Sequence, residues 1–99
     1  MAVKPYVLAE QAYLTDLRRH FHAHPEVSLK EYETCKKIEA ELDSMGIPHK
    51  RIGETGVYGW IDGKKAGDGV TVALRADIDA LAMDDLKEVS YHSQNAGVC

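Results

Sequence analysis

Residues 70–74, VTVAL, present apolar side chains on both faces of any strand they form. A strand with one wet face alternates apolar and polar residues, so this pattern belongs to a central strand covered by helices on both sides. Such a strand cannot stand alone, because its side chains need cover and its backbone N–H and C=O groups need partners. Two earlier stretches, 49–52 and 57–61, read as further strands, separated by GETG and followed by the turn-rich DGKKAGDG. The expected fold class is therefore α/β, a central β-sheet flanked by helices.

The helices are read from apolar spacing. Residues 6–21 predict one amphipathic helix, with Tyr13, Leu14, Leu17 and Phe21 on one side and Thr15, Arg18 and Arg19 on the other. Pro25 ends it and pushes His24 out of helical geometry. Ser28 and Glu31 have the S-x-x-E spacing of a capping box, which predicts a second helix from Leu29. Its stripe is Tyr32, Cys35, Ile38, Leu42 and Met45, with Gly46 as the C-terminal stop. Cys35 lies mid-stripe and reads as a core residue rather than a reactive thiol.

Several functions are excluded early. A chain of 99 residues makes one small domain or a piece of one. With a net charge of -4 and no basic cluster beyond KK, RR and HKR, it lacks a nucleic-acid or anionic-membrane footprint. Its apolar runs are too short to span a bilayer, and no secretory leader is visible, so a cytoplasmic location is the default expectation. Cys35 and Cys99 are far apart in sequence and make neither a disulfide framework nor a zinc ribbon. No phosphate-binding loop and no G-x-S-x-G elbow is present. Residues 87–99, KEVSYHSQNAGVC, have neither helical period nor a polar tail, and the expectation is a segment of a longer protein.

Two stretches hold residues of chemical interest. HFHAHPE places His20, His22 and His24 at alternate positions. His20 and His24 share a helical face, but Phe21 stands where an H-E-x-x-H zinc site needs glutamate, and Pro25 spoils the geometry. His22 points away from both, beside Arg18. Partly buried or exposed turn histidines are the expectation. RADIDAL follows VTVAL directly and puts Asp77 and Asp79 beyond the carboxyl end of a strand, where ligands of open α/β sheets gather. Carboxylates there can bind a cation, orient a metal-ligating histidine, or act as acid and base. Equally, one of them can cap a short helix starting near Ala80.

LRRHFHAHPEVSLKEYET at 17–34, GETGVYGWIDG at 53–63 and VALRADIDAL at 72–81 together resemble the opening of a metal-dependent amidohydrolase family. That family includes aminoacylases, hippurate hydrolases, auxin-conjugate hydrolases and carboxypeptidase G-like enzymes. The resemblance implies that 1–99 are the N-terminal part of a zinc-peptidase-like catalytic domain, without the family's lid or dimerisation domain. It implies hydrolysis of the amide bond of N-acyl amino acids or peptide-like conjugates, with a homodimer among the assemblies open to the complete protein. One or two divalent ions, commonly zinc, manganese or cobalt, activate water and polarise the amide carbonyl, while a glutamate is general base.

In the wider superfamily, the strand that resembles VALRADIDAL ends in His-x-Asp, whose histidine binds metal and whose aspartate orients it. Asp79 inherits the orienting role by this resemblance, and Asp77 replaces the ligand. The closer family restores the ligand with a later His-Ala-Cys-Gly-His-Asp run, which NAGVC immediately precedes in register. By this alignment Cys99 is not a ligand, and no metal ligand is assigned within the chain. The 99 residues alone are then expected to be inactive, with an exposed apolar sheet edge. The rival expectation is a non-catalytic α/β binding or interaction module.

Overall fold

In the computed structural model, which describes residues 2–65, 67 and 69–99, the element order is α1 (Pro5–Leu8), α2 (Gln11–Ala23), α3 (Tyr32–Ser44), β1 (His49–Ile52) and β2 (Gly56–Gly59). The first helix expected from spacing is thus two helices. Pro5 starts α1 with its fixed φ, and a tightened turn at Ala9 and Glu10 breaks the run, Glu10 N–H donating to the Val7 carbonyl at 3.1 Å. The α1 side chains Tyr6, Val7 and Leu8 are exposed, so packing does not hold this turn to the rest. As expected, α2 ends before Pro25, with His24 at φ -124° and its N–H on the His20 carbonyl.

The capping box does not form. Leu29 takes a left-handed φ of 68° in a turn closed by Lys30 N–H on the Val27 carbonyl, and α3 begins only at Tyr32. Glu26 caps α3 from a distance instead. Its carboxylate accepts the N–H of Glu33 at 3.1 Å and both the N–H and the hydroxyl of Thr34 at 2.6 Å. These are free donors of the first helical turn, and a carboxylate there also suits the helix dipole. The backbone explains the late start. Val27 makes a parallel bridge to Ala80, and Ala80 N–H donates to the Glu26 carbonyl at 2.8 Å, so residues 26–27 are held extended.

The end of α3 follows expectation. Gly46 at φ 69° donates to Asp43, and Ile47 N–H returns to the Leu42 carbonyl at 3.0 Å, closing a Schellman turn. The chain then enters the β1–β2 hairpin, antiparallel with Ile52 opposite Gly56 and His49 opposite Gly59. Cys35, fully buried, sits in the seam between α3 and this hairpin, with Sγ 4.0 Å from the Gly56 carbonyl oxygen. Tyr13 donates to Glu41, which joins α2 to α3.

The expected central sheet is not formed. The sheet is the two-stranded hairpin, and among the described residues no strand pairs with 70–74. Val70, Val72 and Leu74 are 89%, 78% and 97% exposed. A central strand needs a neighbour on each edge and a helix on each face, and among the described residues neither β1 nor β2 lends its open edge to 70–74. Burying three such side chains is worth on the order of 5 kcal/mol, which this arrangement leaves unrealised. Of the turn-rich stretch before it, Ala66 and Asp68 lie outside the described residues.

Burial is the largest single influence on the Glu26 carboxyl and raises its pKa, but the bonds from Thr34 and Glu33, with Lys36 nearby, outweigh it and leave the pKa below its ordinary value. The stabilisation is therefore complete above the ordinary carboxylate range and is lost as pH falls through the lowered value. Glu26→Ala should cost about 1–2 kcal/mol in urea unfolding near neutral pH, and less in acid. A Cβ on Gly56 would lie 2.8 Å from the Ile52 carbonyl oxygen, whereas one on Gly59 meets nothing nearer than 3.6 Å. Gly56→Ala should thus cost about 1–3 kcal/mol, clearly more than Gly59→Ala, in the same measurement.

Candidate active site

A crevice of about 720 Å³ lies where α2 and α3 meet the segment that follows VTVAL. Phe21 and His22 from α2, Ile38 from α3, and Asp77, Asp79 and Cys99 line it. Its position is set by backbone bonds. The bridge from Val27 to Ala80 brings RADIDAL against the α2–α3 connection, and Leu81 and Cys99 exchange N–H···O bonds of 2.8 and 2.9 Å. Gln94 N–H donates to the Ala23 carbonyl at 2.7 Å, and the Asn95 amide donates to the Pro25 carbonyl at 3.1 Å. The irregular segment 80–99 is therefore docked on the end of α2 through polar bonds.

Asp77 and Asp79 both line this crevice. No helix begins near Ala80 among the described residues, so neither aspartate acts as the cap that the local pattern also allowed. The Asp77 carboxylate pairs with Arg75 at 2.7 Å in a largely exposed contact, which contributes little to stability. The exposed Asp79 carboxylate accepts no hydrogen bond from another described residue and is free to take one from outside.

The three histidines divide. His20 and His24 stack at 4.5 Å between ring centroids, and His24 Nδ1 approaches the His20 carbonyl oxygen at 2.9 Å. Burial, then the neighbouring His24 and Lys37, lower the His20 pKa. His22 points the other way, as its helical position requires, but it finds a partner that spacing does not show. Its Nε2 lies 2.9 Å from Oδ2 of Asp85, whose side chain is 4% exposed. One ligating atom each from His22, Asp85 and Cys99 lie within 4.8 Å of one another. No motif marks Asp85, which is 63 residues from His22 in sequence; only the docking of 80–99 joins them.

Asp85 is anchored from several sides. Ser93 N–H donates to it at 2.9 Å and Lys87 N–H at 3.1 Å, and these two bonds are the main reason its pKa falls to about 2, with burial opposing and His22 adding to the shift. Since the folded pKa is depressed, the anchoring is complete above the ordinary carboxylate value of about 3.9 and fails as pH falls toward 2. The Ser93 amide should keep its hydrogen-exchange protection at pH 5, its exchange accelerating toward the intrinsic rate only below about pH 4. Acceleration already at pH 5 would contradict this anchoring.

No family model matches the chain. Individual relatives do. A hydrolase of uncharacterised activity from Staphylococcus saprophyticus is 44% identical over 87 residues, 88% of this chain and 22% of the relative. A second, from Staphylococcus haemolyticus, is 41% identical over 91 residues, 92% of this chain and 23% of the relative. Bacillus subtilis YxeP, a dinuclear metal binding peptidase from the M20 family, superposes with a TM-score of 0.83 at 36% identity, covering 92% of this chain and 26% of YxeP. The chain resembles M20-family metal peptidases in both sequence and fold. A protein from methicillin-resistant Staphylococcus aureus, provisionally described as an aminohydrolase, agrees with a TM-score of 0.84 at 34% identity, covering 94% of this chain and 24% of its own. The chain thus spans about a quarter of the length of these relatives. No helix among the described residues is long and apolar enough to cross a membrane.

The M20 resemblance implies bound metal ions. Asp77 and Asp79 do not make a metal site by themselves: both are exposed, Asp77 is taken by Arg75, and no third His, Cys, Asp or Glu donor joins them among the described residues.

Proposed function

We propose that this chain forms the N-terminal part of the catalytic domain of a metal-dependent hydrolase that cleaves the amide bond of N-acyl amino acids or related conjugates. The reading rests on one observation above the others: RADIDAL presents Asp77 and Asp79 to the crevice in a chain that superposes on a dinuclear metal peptidase. In this proposal one or two divalent ions, zinc, manganese or cobalt, are held mainly by residues outside the chain. The lid or dimerisation domain also lies outside it, and the complete protein is cytoplasmic and acts on small peptide-like substrates.

The chain's own residues then have defined tasks. Asp79, without a bond to another described residue, holds a ligating histidine by its free ring nitrogen and so fixes tautomer and orientation. Asp77, paired with Arg75, sits on the rim, where its charge acts on whatever enters. Phe21 and Ile38 give the crevice an apolar wall against which an acyl group can pack. The exposed apolar stretch 70–74 supports a second reading, a binding module without chemistry, since an apolar segment of this kind demands a covering partner.

A chimera separates the two. With this chain in place of the matching segment of the Staphylococcus saprophyticus hydrolase, metal-dependent hydrolysis of N-acetyl or N-benzoyl amino acids is expected, and none from the isolated 99 residues. Asp79→Ala in the chimera should lower kcat/KM about 10- to 100-fold. Turnover by the isolated chain, or a folded chimera inactive on these amides beside an active parent, would overturn the proposal.

A further inference from the structure

The group of three potential metal donors among the described residues does not include Asp77 or Asp79: it is His22, Asp85 and Cys99. We infer that these residues form a zinc-class metal site within this chain, distinct from the ligands that the hydrolase proposal places outside it. Three observations support this. The donor atoms lie within 4.8 Å of one another, whereas neighbouring donors around a four-coordinate zinc, with bonds of about 2.0–2.3 Å, lie about 3.3–3.8 Å apart. The 2.9 Å His22–Asp85 contact must therefore open slightly, with Cys99 closing by about 1 Å. The frame is already built: Asp85 is fixed by the N–H groups of Ser93 and Lys87, and Cys99 by its paired bonds to Leu81. All three residues are partly shielded from water, and one wall of the open crevice is formed by His22 and Cys99, which gives an ion a path in and leaves room for a water as fourth ligand.

The donor set chooses the ion. Imidazole, carboxylate and thiolate together suit zinc or cobalt, and do not suit magnesium or calcium, which take oxygen. Binding exchanges the Cys99 thiol proton for the metal and releases it to solvent, while His22 carries its own proton on Nδ1 and gives the Nε2 lone pair to the ion. A dication with one thiolate and one carboxylate leaves the site neutral, so partial burial carries no uncompensated charge.

Cobalt titration of the 99-residue chain tests this directly. Expected are one ion per chain, a near-ultraviolet sulfur-to-cobalt charge-transfer band, displacement by zinc and no displacement by excess magnesium. Cys99→Ser should abolish the band, and Asp85→Asn and His22→Ala should each weaken binding at least about tenfold, with Cys35→Ala and His24→Gln without effect. In the unaltered chain, zinc should slow alkylation of Cys99, mapped by mass, so the test survives a variant that fails to fold. Absence of the charge-transfer band, or equal alkylation of Cys99 with and without zinc, would overturn the site. Neither readout depends on hydrolysis, so the two proposals stand or fall separately.

Discussion

The rest of the structure depends on how Glu26 and Val27 are held. Their backbone is extended because it bonds to Ala80, and this places the Glu26 side chain over the first turn of α3. One residue pair thus sets where α3 begins and where RADIDAL crosses the α2–α3 connection. The carboxylate serves because three donors from Glu33 and Thr34 converge on it, where a shorter serine cap would need Ser28 in a different backbone position. The late start of α3 and the position of the crevice share this cause.

Against that well-tied centre stands a poorly covered periphery. Val70, Val72 and Leu74 are almost wholly in water, and so is Ile61, 80% exposed. Fully buried apolar side chains are represented only by Cys35 among the described residues, in the seam between α3 and the hairpin. Apolar area left this open is what a sheet shows before its neighbouring strands and covering helices are added. The relatives, about four times as long, are consistent with that physical picture.

The candidate chemistry is arranged in two groups around one crevice. Asp77 and Asp79 line it, exposed and lightly bonded. His22, Asp85 and Cys99 gather more deeply, joined through the docking of 80–99 on the end of α2. The first group follows from local sequence order, since both aspartates belong to RADIDAL, which lines the crevice as one short stretch. The second depends on long-range contacts alone.

What sequence determined by itself was local: the stop of α2 at Pro25, the Gly46 turn, the hairpin around GETG, Cys35 as core and the family likeness carried by RADIDAL. Each depends on backbone preference or on spacing within a few residues. Tertiary structure alone decided the replacement of Ser28 by Glu26 as cap and the meeting of His22 with Asp85 and Cys99. Among the described residues it also left 70–74 unpaired, although its pattern reads as a central strand. The reason is common to all three: these outcomes turn on whether a distant or absent partner offers a hydrogen bond or apolar cover, and no periodicity along one chain encodes the partner's presence.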